Sequence, residues 1–231
     1  MDRNSNVYTF IYASGMVIIV AAILSLAAIN LKPFQDKNIE IEKKQNILAS
    51  VNIKTDATNA EEIYAEKIIN SYIVNSKGEQ VKGDAFTVDL KKERAKPTEQ
   101  QQLPVFECQV DGGIKYILPL RGAGLWGPIW GYLSLESDMS TVYGASFDHQ
   151  GETPGLGAEI STAAFQAQFK GKEIYDTNGK LVSITVAKSN ETAPAEHKVD
   201  AISGGTITSK GLQKMLLDDL GSYNAFFNQK K

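Results

Sequence analysis

Cysteine and histidine are nearly absent from this sequence: 231 residues contain one of the first and two of the second. A structural zinc site takes four Cys, His or carboxylate ligands, so most metal centres are excluded. Cys108 stands alone, so no disulfide can form within the chain, and cysteine usage does not reveal the redox compartment. Cys108 alternates with Phe106 and Val110 around polar Glu107 and Gln109, and it reads as a packed thiol on a half-buried strand. The formal charge of -3 lacks the basic surplus that a nucleic acid would require. No acid–base pair and no nucleophile–base constellation is visible, and neither an internal repeat nor a heptad run occurs.

Charge is also missing from the N-terminus, where residues 4–31 contain no Asp, Glu, Lys or Arg. The apolar run at 7–29 would span roughly 34 Å as a helix, enough to cross a bilayer. Tyr8 and Tyr12 near one end suit the membrane interface. A cleaved signal peptide is the rival, since Ser25-Leu26-Ala27-Ala28 offers small residues for cleavage. Such peptides carry a basic start and a shorter apolar core, whereas this chain starts Asp2-Arg3. The expected organisation is a tail at 1–6, a transmembrane helix at 7–31, a linker helix with an α/β part at 32–98, and a second part at 99–231.

The body reads as α+β: twisted, mainly antiparallel sheet packed with helices. A linker helix is expected at 36–51 and a short helix at 60–69. Strands are expected at 72–74, 86–90, 105–110, 114–120, 132–135 and 181–187. Phe86, Val88 and Leu90 alternate with Thr87 and Asp89, as a strand with one wet face does. Residues 91–102 read as an exposed loop, 158–169 as a helix, and 207–220 as a final helix with Leu212, Met215, Leu216 and Leu220 on one stripe.

Three segments fit neither ordinary strands nor ordinary turns. The first is Gly122-Ala123-Gly124-Leu125-Trp126-Gly127-Pro128-Ile129-Trp130-Gly131-Tyr132. Its glycines let backbone approach closely while aromatics pack, either as a structural turn or around a flat ligand. The second is Gly151-Glu152-Thr153-Pro154-Gly155-Leu156-Gly157, a tight turn whose exposed N–H and C=O groups could read a heterocycle. His149 just before it reads as solvated rather than as a ligand. The third is Asp200-Ala201-Ile202-Ser203-Gly204-Gly205-Thr206-Ile207-Thr208-Ser209, leading into the last helix. It is either a plain helix cap or a phosphate site at a helix N-terminus; it is neither a Walker loop nor a dinucleotide fingerprint.

Taken together and in order, the three segments resemble the covalent FMN-binding domain family. Asp200 followed by Ser203-Gly204-Gly205-Thr206 is similar to that family's flavinylation motif, with Gly205 where alanine is usual. The resemblance implies FMN esterified through its phosphate to Thr206. Asp200, Ser203, Gly204 and Gly205 would belong to the segment read by a separate flavin transferase. Leu125, Trp126, Glu152, Thr153, Pro154, Gly155, Leu156 and Gly157 would enclose the isoalloxazine, and residues 99–231 would form the FMN-binding domain. The Gly124-to-Gly131 run resembles the version in C subunits of sodium-translocating NADH:quinone oxidoreductases. That resemblance implies an electron relay among the membrane subunits of such a complex. It also implies a bacterial cytoplasmic (inner) membrane anchor with the body on the periplasmic side, although Lys32, Lys37, Lys43 and Lys44 after the helix point the other way. The G subunit of the related ferredoxin:NAD oxidoreductase complex, and a non-redox anchored interaction domain, stand as alternatives.

Overall fold

A computed structural model describes residues 5–230. The chain begins in one long helix, α1 (Asn6–Ser50), which continues through Pro33. Proline removes one backbone donor, and here the helix passes it without ending, so the expected anchor and linker helix are one element. Among the described residues α1 alone is long and apolar enough to cross a membrane, and none of its most apolar stretch is buried within the chain. The tail containing Arg3 lies outside the described residues.

Two compact units result, Met1–Lys43 and Lys44–Lys231. The second is built on six strands: β1 (Ile68–Asn75), β2 (Gln80–Val81), β3 (Gln102–Val110), β4 (Gly113–Ala123), β5 (Pro128–Leu135) and β6 (Val142–His149). Every pairing is antiparallel, in the order β2-β1-β3-β4-β5-β6. Strands from both the 32–98 and the 99–231 stretches share this sheet. Two short strands, β7 (Thr185–Ala187) and β8 (Lys198–Asp200), pair in parallel elsewhere. Helices α2 (Ala60–Lys67), α3 (Leu90–Arg94), α4 (Ala163–Gln166) and α5 (Thr206–Lys230) complete the body.

Both faces of the sheet are covered. Val74, Val105, Leu118, Leu120 and Leu133 pack with Leu212, Leu216, Leu220, Tyr223 and Phe227 of α5. On the other face Phe106, Cys108, Ile117 and Tyr132 pack with Ile47 and Val51 from the end of α1. Leu103 and Val105 therefore serve one core while Phe106 and Cys108 serve the other, the period-two alternation of a strand read on both sides.

Several local expectations are corrected. Phe86 and Leu90 do not lie on a strand: Ala85–Thr87 forms a 3-10 turn and Leu90 opens α3. Asp84 accepts the Phe86 N–H and Asp89 accepts those of Lys91 and Lys92, so two aspartate caps override the apolar alternation. The supposed loop at 91–102 thereby contains a helical turn. The helix expected at 158–169 is broken into short turns, because Thr162 is extended and caps α4 through Phe165 N–H. Strand β7 is shorter than expected, since Ser183 has a positive φ of 61°. The last helix instead exceeds its expected end by ten residues, carried on by Tyr223, Phe226 and Phe227 in the core.

Candidate functional site

The three unusual segments meet at the start of α5. Gly124-Leu125-Trp126-Gly127 is the tip of the β4–β5 hairpin, closed by a 2.8 Å bond from Gly124 N–H to Gly127 C=O. Pairing of Ile129 with His149 puts the residues after β6 beside that tip. Helix α5 reaches the same corner: a side chain at Gly211 would run into the Ala123 carbonyl, and one at Gly122 would meet Met215 Cβ at 2.7 Å. Glycine at these two places is what allows helix and strand to touch.

The second segment folds onto the third. Leu156 lies over the Ser-Gly-Gly turn: a Cβ on Gly204 would stand 2.6 Å from Leu156 Cδ2. Gly204 also has φ +72°, which an L side chain rarely adopts. Gly155, with φ +74°, donates its N–H to Glu159 Oε1 at 3.0 Å, and the N–H groups of Leu156 and Ala158 both reach the Thr153 carbonyl. Glu152 is buried at 5% exposure. Its Oε1 accepts from Trp126 N–H at 2.8 Å and its Oε2 from the Thr208 hydroxyl at 2.5 Å.

Thr206 is the first residue of α5 and is half-buried. The Gly205 carbonyl accepts the first intrahelical bond, from Ser209 N–H at 2.9 Å, so Gly205 is the cap and Thr206 follows it. The N–H groups of Thr206, Ile207 and Thr208 point out of the helix start, where the helix dipole is positive. A Cβ on Gly205 would lie 3.0 Å from Ile202 Cγ2 and 3.3 Å from the Leu156 carbonyl carbon. Ile202 would have to give by a few tenths of an ångström to admit a side chain there.

Around Thr206 four large apolar side chains face outward: Leu125 at 49% exposure, Trp126 at 68%, Leu156 at 41% and Ile207 at 57%. Ser203, Thr153 and Pro154 are exposed beside them, and Gly157 is buried under Glu152 and Thr208. Asp200 is the outlier. It ends β8, its N–H bonds Gln168 Oε1 at 2.8 Å, and its carboxylate lies 3.7 Å from Lys198 Nζ rather than in the turn. His149 is not merely solvated: its Nδ1 accepts the Glu152 N–H at 3.1 Å.

Ile202, Ile207 and Thr208 lie within the third segment but were not singled out as site residues. Nothing local marks Thr208, because its partner Glu152 lies 56 residues away. The one available signal was the pair of hydroxyls at Thr206 and Thr208, two positions apart.

A hairpin tip and a Thr-Pro-Gly turn gathered over the start of a long helix define an FMN-binding domain, and the sequence profile of that family, "FMN-binding domain", matches residues 124–220. The C subunit of the Na(+)-translocating NADH-quinone reductase of Vibrio vulnificus is 31% identical over 227 residues, covering 90% of this chain and 89% of that protein. The crystal structure of the C subunit from Parabacteroides distasonis superposes with a TM-score of 0.80 at 48% identity, covering 85% of this chain and 96% of that one. NqrC of Shewanella oneidensis, at 24% identity and a TM-score of 0.72, shares the fold over 83% of this chain and 97% of its own. The chain belongs to the NqrC family, the C subunits of the Na(+)-translocating NADH-quinone reductase, and so to an oxidoreductase complex.

Proposed function

We propose that the protein is the flavin-carrying subunit of a Na(+)-translocating NADH:quinone reductase, with FMN bonded through its phosphate to Thr206 and electrons relayed to the neighbouring membrane subunits. The observation that carries this reading is the convergence of three separated segments on a half-buried threonine at a helix start. FMN, when bound, supplies the redox chemistry.

The chain's own residues hold and orient. Thr206 Oγ1 provides the ester oxygen, and the free N–H groups of the first turn of α5 favour a phosphate beside it. Gly204 and Gly205 let Leu156 and Ile202 pack closely against the turn that leads into Thr206. Leu125, Trp126 and Leu156 offer an apolar surface to the ring, with the exposed backbone of Thr153, Pro154 and Gly155 at its edge. A threonine hydroxyl is a weak nucleophile, so attachment needs a flavin transferase that takes FMN from FAD and releases AMP. Asp200, outside the turn, is then part of what the transferase reads rather than a flavin contact. Residues 99–231 make up the FMN-binding part. The anchor is α1, in the bacterial inner membrane, with the body on the periplasmic side where such transferases act.

Mass spectrometry of the full chain co-expressed with a flavin transferase tests the assignment. The wild-type protein should gain the mass of one FMN less water, on the peptide containing Thr206. Thr206→Ala should lack it and still fold, because Gly205 rather than Thr206 is the cap and the change should cost about 0.5 kcal/mol or less. Flavin on Ser203 or Thr208 would refute the site. Absence of covalent flavin despite an active transferase would leave the anchored interaction domain as the better reading.

A further inference from the structure

Glu152 is an acid buried in a turn whose neighbours Gly151, Thr153 and Pro154 are exposed. Burying a carboxylate is costly unless donors meet it. Both oxygens are met, and by segments far apart in sequence: Oε1 by Trp126 N–H on the hairpin tip, Oε2 by the Thr208 hydroxyl in the first turn of α5. Two glycines make room for it. A Cβ on Gly124 would stand 2.5 Å from Oε1, and one on Gly157 would overlap both Oε2 and Thr208 Oγ1. The backbone of Glu152 is held as well, by its N–H bond to His149 Nδ1 at the end of β6. A helix start is also a favourable place for a carboxylate.

We propose that Glu152 is a positioning residue that clamps the hairpin tip bearing Leu125 and Trp126 to the helix bearing Thr206. It thereby fixes the ring surface relative to the tether. The proposal rests on the FMN reading above. It assigns Glu152 no contact with flavin, since its side chain is buried and both of its oxygens are engaged within the protein. Thr208, two residues from the tether, is the other half of the clamp. Without it the ring would stay attached but lose its fixed orientation.

The test uses the full chain, flavinylated by a co-expressed transferase, in Glu152→Ala, Glu152→Gln, Thr208→Val and Glu152→Ala/Thr208→Val forms. Each is read by covalent flavin stoichiometry, by the visible circular dichroism of the flavin and by iodide quenching of its fluorescence. Glu152→Ala and Thr208→Val should keep their flavin on Thr206 yet lose most of the visible dichroism and become more readily quenched. The double variant should be no worse than the worse single one, because the two side chains act as one unit. Glu152→Gln should retain the signal: its Oε1 can accept from Trp126 N–H while its amide donates to Thr208 Oγ1. Should Glu152→Ala fail to fold, Thr208→Val, equal in volume, decides the matter alone. Wild-type dichroism in Thr208→Val, or a glutamine variant as damaged as the alanine one, would overturn the clamp. A wild-type chain without covalent flavin would instead overturn the parent reading.

Discussion

Cys108 shows how one residue's chemistry follows from its place in the sheet. It lies fully buried on β3 in the core shared with Ile47 and Val51, and burial pushes its thiol up to about 11. The charged form of a cysteine is the thiolate, so the folded chain keeps its proton at a pH where the unfolded chain, near 9.0, has lost it. The unfolded state then binds fewer protons, and stability falls as pH rises through the window from about 9 to about 11. Native protein should resist alkylation at pH 8 and react fully in urea, and Cys108→Ala should flatten the decline above pH 9. Rapid labelling of the native thiol would contradict this. Placing Cys108 in a core was possible from the sequence, because alternation with Phe106 is a local pattern. Placing Thr208 against Glu152 was not, because that bond joins residues 56 apart.

At the scale of elements, α5 carries Thr206 at its start and packs into the core along its length. Asp219 on this helix is 2% exposed; it pairs with Arg94 of α3 and accepts the Arg121 N–H of β4 at 2.7 Å. Arg94 also donates to Gln101 Oε1 at 3.0 Å and to Ser222 Oγ at 2.8 Å. Removing one member of a buried pair strands the other, so Asp219→Ala should cost about 3 kcal/mol, towards the lower end for such pairs because Arg94 retains some solvent. Urea unfolding should show a lower midpoint with an unchanged slope, and Asp219→Asn, which keeps an acceptor for Arg121, should cost less. A midpoint equal to wild type would mean that α3 is not held through this pair. Here too the sequence was legible only in part. The stripe Leu212, Met215, Leu216, Leu220 announced the helix, whereas α3 was hidden in a charged stretch that resembled a loop. Its aspartate cap and its arginine make sense only once Asp219 is beside them. The antiparallel sheet was readable from alternation and turns, but the broken turns at 157–169 depend on Thr162 and on packing of Phe165 and Phe169 that no local pattern encodes.

For the whole molecule the open matter is the side of the membrane on which the body lies. Lysines after the apolar run favour the cytoplasm, whereas the proposed modification of Thr206 would require the opposite side; large domains translocate largely regardless of such charge. A C-terminal reporter active only in the cytoplasm should therefore be silent, and a strong signal would reverse the topology. The covalent tether proposed above would also change what the exposed corner has to achieve. A free cofactor must be held by affinity alone, which calls for a deep, enclosing pocket. A ring on a short tether is presented to its surface at an effective concentration of about a millimolar. Contacts worth about 4 kcal/mol then suffice to keep it seated half of the time. Leu125, Trp126, Leu156 and Ile207 can accordingly stay open to the outside. With retention delegated to the proposed bond, the protein would keep a shallow face that a redox neighbour could approach without any cover having to move.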